Sequence, residues 1–474
     1  MLKSKLIEIL KTISFKDLNR LDAYLHLPIY NKNEKVLDLF NIIKQEYPSY
    51  GNNTVLEKEN IIKQLFPDQQ KQDAALRVVM SQLSKLVEDF FTIDCLQEDF
   101  EQYRSEIYLK SLVKKGLNGL FRKELDEAIK KSIEQKEQII PNFLHQHELT
   151  KQSFNYNVIN NNRLQESGLQ QVLDSLDVLY IASKLKYACA ALNRQDVLGE
   201  KFNFTLIDEI LLLLQQRPDL ENNFITIYKN VLNLLKSGDE TYYKKIKQLI
   251  SKNSDILSDD DKRDIYAWLT NYCTKKIKSG QDKYLHEIFD LYKVMLAEQM
   301  LLVDNFFMPN HYKNIVITAL KLKEYDWTQD FIYRYATKLP LDIRETVFNY
   351  TLAALHFDRK EYDEALFCLM KINPIDPYYG LNYRALLCKT YYELSEFMAL
   401  NANLESFRVF VLREKQLSEY NNLSYKNFIN VLKRLIRCKE KKKKTADNLL
   451  TEMSSMEPLV HQQWLLEKIQ ELNK

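Results

Sequence analysis

His145 and His147, one glutamine apart, are the densest pair of metal-binding side chains in the sequence. A metal ion would need both rings to converge on it beside a third ligand, but helix positions two apart point well away from each other, and ligand pairs use a spacing of four. The pair therefore reads as two separate histidines exposed on a helix or turn. Asp259, Asp260 and Asp261 could ligate a cation; behind Ser258 they read more simply as the first turn of a helix, where carboxylates meet the positive end of the backbone dipole. Nucleophilic catalysis needs a Ser or Cys beside a base, and phosphate chemistry usually needs a glycine-rich loop. The sequence has no GxSxG, GxGxxG or GxxxxGKS/T motif. Cys95, Cys189, Cys273, Cys368, Cys388 and Cys438 form no CxxC pair, which points to reduced, buried thiols rather than zinc or disulfides. The expectation is a protein that is not an enzyme, with no catalytic residue, no metal and no cofactor.

Binding by charge is the next chemistry to weigh. Lys433, Arg434, Arg437, Lys439, Lys441, Lys442, Lys443 and Lys444 make the one basic concentration, which could grip nucleic acid, an acidic partner or an anionic membrane. No aromatic residues interleave for base stacking, and lysines at a helix end also complement its negative dipole, so the run reads as a solvated helix end. Over all 474 residues, 67 Lys and Arg against 65 Asp and Glu leave a formal charge of +2, too little to draw a polyanion over a distance. Residues 57–91 read as a short helix, a turn at Pro67-Asp68 and a long helix carrying Asp73 and Arg77. This segment resembles the helix-turn-helix part of winged-helix regulators, which implies a DNA-binding alternative. Between Glu57 and Lys85 five basic residues stand against four acidic ones, and Thr92-Ile-Asp-Cys-Leu offers no β-rich wing.

The elements that must position any such group are helices. Only 8 Gly and 10 Pro are present, while 45% hydrophobic and 28% charged residues supply both a core and solvated faces. The fold class expected is all-α. Residues 1–95 read as a compact helical domain: Ser14 and Asp17 make an approximate capping box for a helix through Leu25, Asn31 or Asn33 starts the next, and Val36, Leu37, Phe40 and Ile43 line it. The most strongly patterned helix carries Leu76, Val79, Met80, Leu83, Leu86, Val87, Phe90 and Phe91. Residues 96–168 read as a charged helical connector with Phe121, Leu125, Ala128, Ile129 and Ile133 on one side. The break at Asn160, Asn161, Asn162 and Gly168 precedes a helical array over 169–474. Glu8 and Lys11 interrupt the first apolar run before it can act as a signal peptide, and residues 210–214, the most apolar stretch, fall far short of the about 20 needed to span a bilayer. A soluble, cytoplasmic protein without membrane insertion is expected.

The array has a visible repeat. Lys-Glu-Tyr-Asp occurs at Lys323 and again at Lys360, each followed at the same distance by a proline, Pro340 and Pro377, which defines a unit about 37 residues long. Leu352 and Ala353 fall in its first helix, Tyr362, Ala365 and Leu369 in its second, and Pro377 is taken to close it. These residues resemble the tetratricopeptide repeat, with His356 where the family places a packing tyrosine and Thr328 at the small position of the preceding copy. Leu387, Cys388, Tyr391 and Tyr392 form a third candidate. The resemblance implies helix pairs stacked into a superhelix whose first helices line a concave, protein-binding face. Lys313, Asn314, Tyr350, Asn382 and Lys389 occupy those positions, which makes them the partner-binding candidates; Val347, Thr351 and Ala354 replace the polar positions of the family's carboxylate clamp. Two longer stretches, Tyr30 to Phe40 and Tyr180 to Arg194, resemble a family of uncharacterised helical proteins from Bacteroidetes. The function expected is a protein–protein interaction scaffold, the alternative a transcriptional regulator reading DNA through 57–91.

Overall fold

In the computed structural model the chain is all-α, with twenty-three α-helices among the described residues. These are all residues except 1–3, 49, 51–55, 68–71, 99, 160–167, 304, 374–375, 442–445, 457 and 473–474. Asp68, the break at Asn160 to Asn162, and Lys442 to Lys444 thus lie outside the described residues. The chain divides into two compact units, residues 1–135 with 141–176, and residues 136–140 with 177–474.

In the first unit, α1 (Lys5–Leu10), α2 (Phe15–Leu25), α3 (Glu34–Gln45), α4 (Lys58–Leu65) and α5 (Gln72–Glu98) enclose a core that runs from Leu6 to Phe90. The capping box forms as expected: Ser14 Oγ accepts from Asp17 N at 3.1 Å and donates to its carboxylate at 2.6 Å. Asn33 caps α3 by accepting from Lys35 N. The period of three and four in α5 buries Leu76, Val79, Leu83, Val87 and Phe90 on one face. Next come α6 (Phe100–Lys114), α7 (Asn118–Glu134) and α8 (Ile140–Ile159), which hold a smaller core of Leu109, Leu112, Phe121, Leu125 and Leu149. Ile133, expected on the same stripe as Phe121, is instead 72% exposed, because it sits in the last turn of α7, beyond that core.

The long α9 (Leu169–Leu198) leads into the second unit, followed by α10 (Ile207–Gln216), α11 (Asn223–Ser237), α12 (Glu240–Lys252), α13 (Asp259–Lys278) and α14 (Lys283–Ala297). A hairpin of β1 (Leu302–Val303) and β2 (Phe306–Phe307), absent from the sequence expectation, holds the only strands among the described residues. Then come α15 (Pro309–Lys321), α16 (Tyr325–Tyr335), α17 (Arg344–Asp358), α18 (Tyr362–Leu369), α19 (Pro377–Glu393), α20 (Phe397–Arg413), α21 (Glu419–Lys441), α22 (Ala446–Ser455) and α23 (Gln462–Leu472). Consecutive helices pack as pairs, α11 on α12 through α19 on α20, in a helical repeat arrangement.

One turn recurs between the members of these pairs. Lys323, Lys360 and Ser395 all adopt the left-handed conformation, with φ of 61°, 64° and 61°. The residue after each closes the same hydrogen bond across the helix end: Glu324 N to Ala319 O, Glu361 N to His356 O and Glu396 N to Tyr391 O, at 3.0, 2.9 and 2.9 Å. This is the Schellman geometry, which satisfies carbonyls that the first helix leaves open. Gly280, at φ +83°, makes the turn from α13 to α14 in the same way, Gln281 N reaching Lys276 O at 3.1 Å. The third copy of Lys-Glu-Tyr is therefore Ser395-Glu396-Phe397. Pro377, read above as the end of a unit, is the first residue of α19, where its missing N–H costs nothing and Asp376 caps the helix by accepting from Tyr379 N at 2.8 Å. Gly380 lets α20 approach: a Cβ there would stand 2.9 Å from the Phe410 ring.

Candidate functional site

The first helices α15, α17 and α19 touch one another as well as their own partners, forming a continuous layer that carries all five partner-binding candidates. Three of these converge. Lys313, half-buried on α15, holds its ammonium 5.0 Å from the centre of the Tyr379 ring of α19, and burial draws its pKa down against the opposite pull of Asp376. Tyr350 is 5% exposed and meets the same Tyr379 ring edge-on at 5.6 Å, so it packs inside the layer. Asn382 donates to Tyr378 O at 2.8 Å and accepts from the Tyr425 hydroxyl of α21 at 3.2 Å. Asn314 is exposed beside Lys313. Tyr379 and Tyr425, which tie the group together, were not singled out in the sequence; the Asp376-Pro377 cap would have fixed the start of α19 and shown that Tyr379 sits in its first turn.

Lys389 stands apart, seven residues and about 10 Å farther along α19. Its ammonium lies over Phe357 at 4.3 Å and over Trp464, from α23, at 5.5 Å. Burial pulls its pKa down to about 8, although Asp358, Glu393 and Glu467 push the other way. The Trp464 indole N–H donates to Glu393 Oε1 at 2.8 Å, Lys468 Nζ lies 3.0 Å from the same oxygen, and the Trp464 ring stands edge-on to Tyr392 at 5.5 Å. His461, at φ +54°, has a buried Nε2 without a hydrogen-bond partner, and burial together with the charges of Lys389 and Lys321 pushes its pKa down to about 3. Lys389, chosen from the sequence as a residue open to a partner, is half-buried, with Trp464 lying over its ammonium.

Other groups with chemical potential are satisfied internally. A pocket of about 290 Å³ between α12 and α14 is lined by Glu240, Tyr243, Lys247, Lys283, Tyr284 and Glu287 among others. There Glu240 pairs with Lys244 at 3.0 Å and Lys283 at 2.7 Å, and Glu287 with Lys247 at 2.6 Å and the Tyr243 hydroxyl at 3.0 Å. The expected cap at Ser258 forms, Asp261 N donating to its Oγ at 3.1 Å, but Asp261 does more. Only 2% exposed, it also takes the Tyr228 hydroxyl at 2.5 Å and Lys186 at 2.8 Å. Burial and the Asp261 charge raise the Tyr228 pKa far above its usual range, so this phenol is fixed as a hydrogen-bond donor.

His145, expected to be exposed, is instead only 7% exposed and bonded to Glu106 at 2.7 Å, because α8 turns that face toward α6. His147 points elsewhere, to Ser175 at 3.0 Å, as their spacing requires. Among the described residues no group of His, Cys, Asp and Glu could hold a metal ion. Cys189, Cys273, Cys368 and Cys388 are buried, with pKa values raised by burial, to about 11 for Cys273 and about 12 for Cys388. Cys95 is exposed and Cys438 half-buried. On α5, Arg77 and Lys85 are exposed, but so are Asp73, Glu88 and Asp89, and Asp73 binds Lys58. In the basic stretch of α21, Lys433 binds Glu405, Arg434 binds Glu452, and Lys439 lies over the Tyr392 and Phe397 rings at 4.8 and 5.2 Å. Among the described residues no helix is long and apolar enough to cross a membrane. No family model matches the chain, and neither does any curated protein or solved structure.

Proposed function

We propose that the protein is a non-enzymatic scaffold, working in the cytoplasm, that holds another protein against the layer of first helices α15, α17 and α19. The carrying observation is the recurrence of one left-handed turn at Lys323, Lys360 and Ser395, which stacks helix pairs in one direction and lays their first helices side by side. In this reading the layer is the concave face of a tetratricopeptide-like superhelix, as the resemblance of Leu352, Ala353, Tyr362 and Ala365 implies. Lys313, Asn314 and Asn382 offer a cation and two amides on its accessible side, with Tyr350, Tyr379 and Tyr425 fixing their positions from within. The buried cysteines and the donor-locked Tyr228 favour this over an enzyme, since neither can act as a nucleophile or base near neutral pH. The mixed charge on α5 likewise favours it over DNA reading, which calls for clustered cations.

The test is photo-crosslinking in extract of the native cell, with a photoreactive residue placed at Asn314, at Asn382, or at Met398, which is 91% exposed on the second helix α20. The scaffold requires one common partner crosslinked from the first two positions. Crosslinks from Met398 alone, or from none, would remove it.

A further inference from the structure

The C-terminal helix bears on how that face is used. Residues one helical turn apart on α23 divide between two tasks. Leu465 and Ile469 are fully buried, on a helix that packs against α21 and α22. Trp464 and Lys468 instead reach α19, and both engage the single carboxylate Glu393. That junction is made by a few side chains, and it strands others. Lys389 beneath it has two rings for neighbours and no ion pair. Glu467 of α23 adds to the burial that raises the Asp358 carboxyl, a like-charge approach, although Lys389 opposes both. His461, at the entrance to α23, combines a left-handed backbone with a ring nitrogen lacking any partner. A left-handed non-glycine residue and a buried unpaired polar atom each cost folding free energy. The contacts of α23 with α19 are thus offset by strain at the same place.

We propose that α23 is a displaceable resident of the first-helix face, and that the surface beneath it accepts a partner's amphipathic helix carrying an aromatic donor and, four residues on, a Lys or Arg. The proposal rests on the scaffold reading, and α23 itself supplies the argument for the occupant. Glu393 is a desolvated acceptor already shown to fit an indole N–H and an ammonium at once, and Tyr392 supplies the edge for the ring. A partner helix that entered from solution need not repeat the left-handed turn at His461 or bring a carboxylate to Asp358. It would therefore gain the favourable contacts without the unfavourable ones.

The probe is a fluorescein-labelled, end-blocked peptide of residues 461–472, titrated by anisotropy into the full-length chain. Wild type should bind it weakly because its own α23 competes. The Trp464→Ala, Lys468→Ala chain should bind at least about ten-fold more tightly, and adding Glu393→Lys should abolish that gain. Equal affinity in wild type and double variant, with matching helix content, would overturn the proposal. So would size exclusion showing dimers formed by exchange of α23 between copies. Should the double variant fail to fold, amide exchange on the wild type decides: α23 should exchange about 100-fold faster than α21, and equal protection of the two would make α23 a permanent part of the core. Crosslinking from Asn314 and Asn382 does not depend on α23. Its success beside a failed peptide would end only the present inference, whereas loss of both would end the scaffold.

Discussion

Lysine, glutamate and aromatic rings meet in two places in the second unit, with opposite results. Between α12 and α14 every carboxylate has its cations: Glu240 holds Lys244 and Lys283, Glu287 holds Lys247, and the side chains keep much of their water, 39% exposure for both Lys247 and Glu287. Between α19 and α23 the Lys468 and Glu393 side chains are each 11% exposed, and Lys389 beside them has no carboxylate of its own. Residue type is therefore a poor guide to what a charged cluster does. In water a charge pair is nearly idle, because solvent screens it as well as the partner does; stripped of water, the same groups are worth several times more, paired or unpaired. Only the second cluster can drive a conformational choice.

The largest effect that could break this contrast is at Glu393. Glu393→Ala removes the acceptor shared by Trp464 and Lys468 and leaves a buried ammonium with Glu471 alone, so a loss of about 2 to 3 kcal/mol is expected in urea unfolding of the full chain. A loss as small as that of a surface pair would equate the two clusters. Lys389→Met should act in the opposite direction, a gain of about 1 kcal/mol near pH 7, since it removes a desolvated charge without an ion pair. The sign also predicts a pH dependence. Burial holds the folded-state pKa near about 8 against 10.5 for the free side chain, so between these values the unfolded chain binds more protons and stability rises with pH. Below about 8 both states are protonated and the full penalty remains; in Lys389→Met this rise should be missing from a pH series of unfolding midpoints.

Smaller changes sharpen the comparison by leaving both clusters intact. Ser395→Gly relieves a left-handed residue in the turn before α20 and should stabilise by about 0.5 to 1 kcal/mol, with the peptide affinity of the α19 face unchanged. The smallest effect belongs to the solvated cluster. Lys247→Ala should cost about 0.5 kcal/mol or less, and that cost should vanish in 1 M salt as the Debye length falls to about 3 Å. A larger, salt-resistant loss there would show that the α12–α14 pocket is organised by its charges after all.

Features set by neighbours in the chain were legible. Ser14 and Asp17 capped α2 where their spacing said, the stripe from Leu76 to Phe90 was buried, and Lys323 and Lys360 marked real turns. Backbone conformations shared by unlike residues were not legible. Ser395 makes the same turn as Lys360, yet nothing about serine announces a left-handed φ; Leu387, Cys388, Tyr391 and Tyr392, the third candidate copy, do lie on α19, but the turn that follows them could be seen only in its hydrogen bonds. Nor were contacts legible where a helix meets a neighbour distant in the chain. His145, expected on a helix or turn, does lie on a helix but has other surroundings than expected, because Glu106 lies 39 positions earlier. Of the candidate site, Lys313, Tyr350 and Asn382 do share one group, through Tyr379 and Tyr425, while Lys389 belongs to a different one with Trp464, His461 and Glu393.

By itself the sequence determined the all-α class, the caps, the helical stripes and two of the recurrent turns, since each is settled within about one helical turn, where hydrogen bonding and side-chain spacing act directly. Only tertiary structure decided which charges lose their water. Desolvation depends on groups brought together from far apart in the chain, and so Lys247, in a solvated pair, and Lys389, under a tryptophan 75 residues downstream, came to differ in everything except their chemistry.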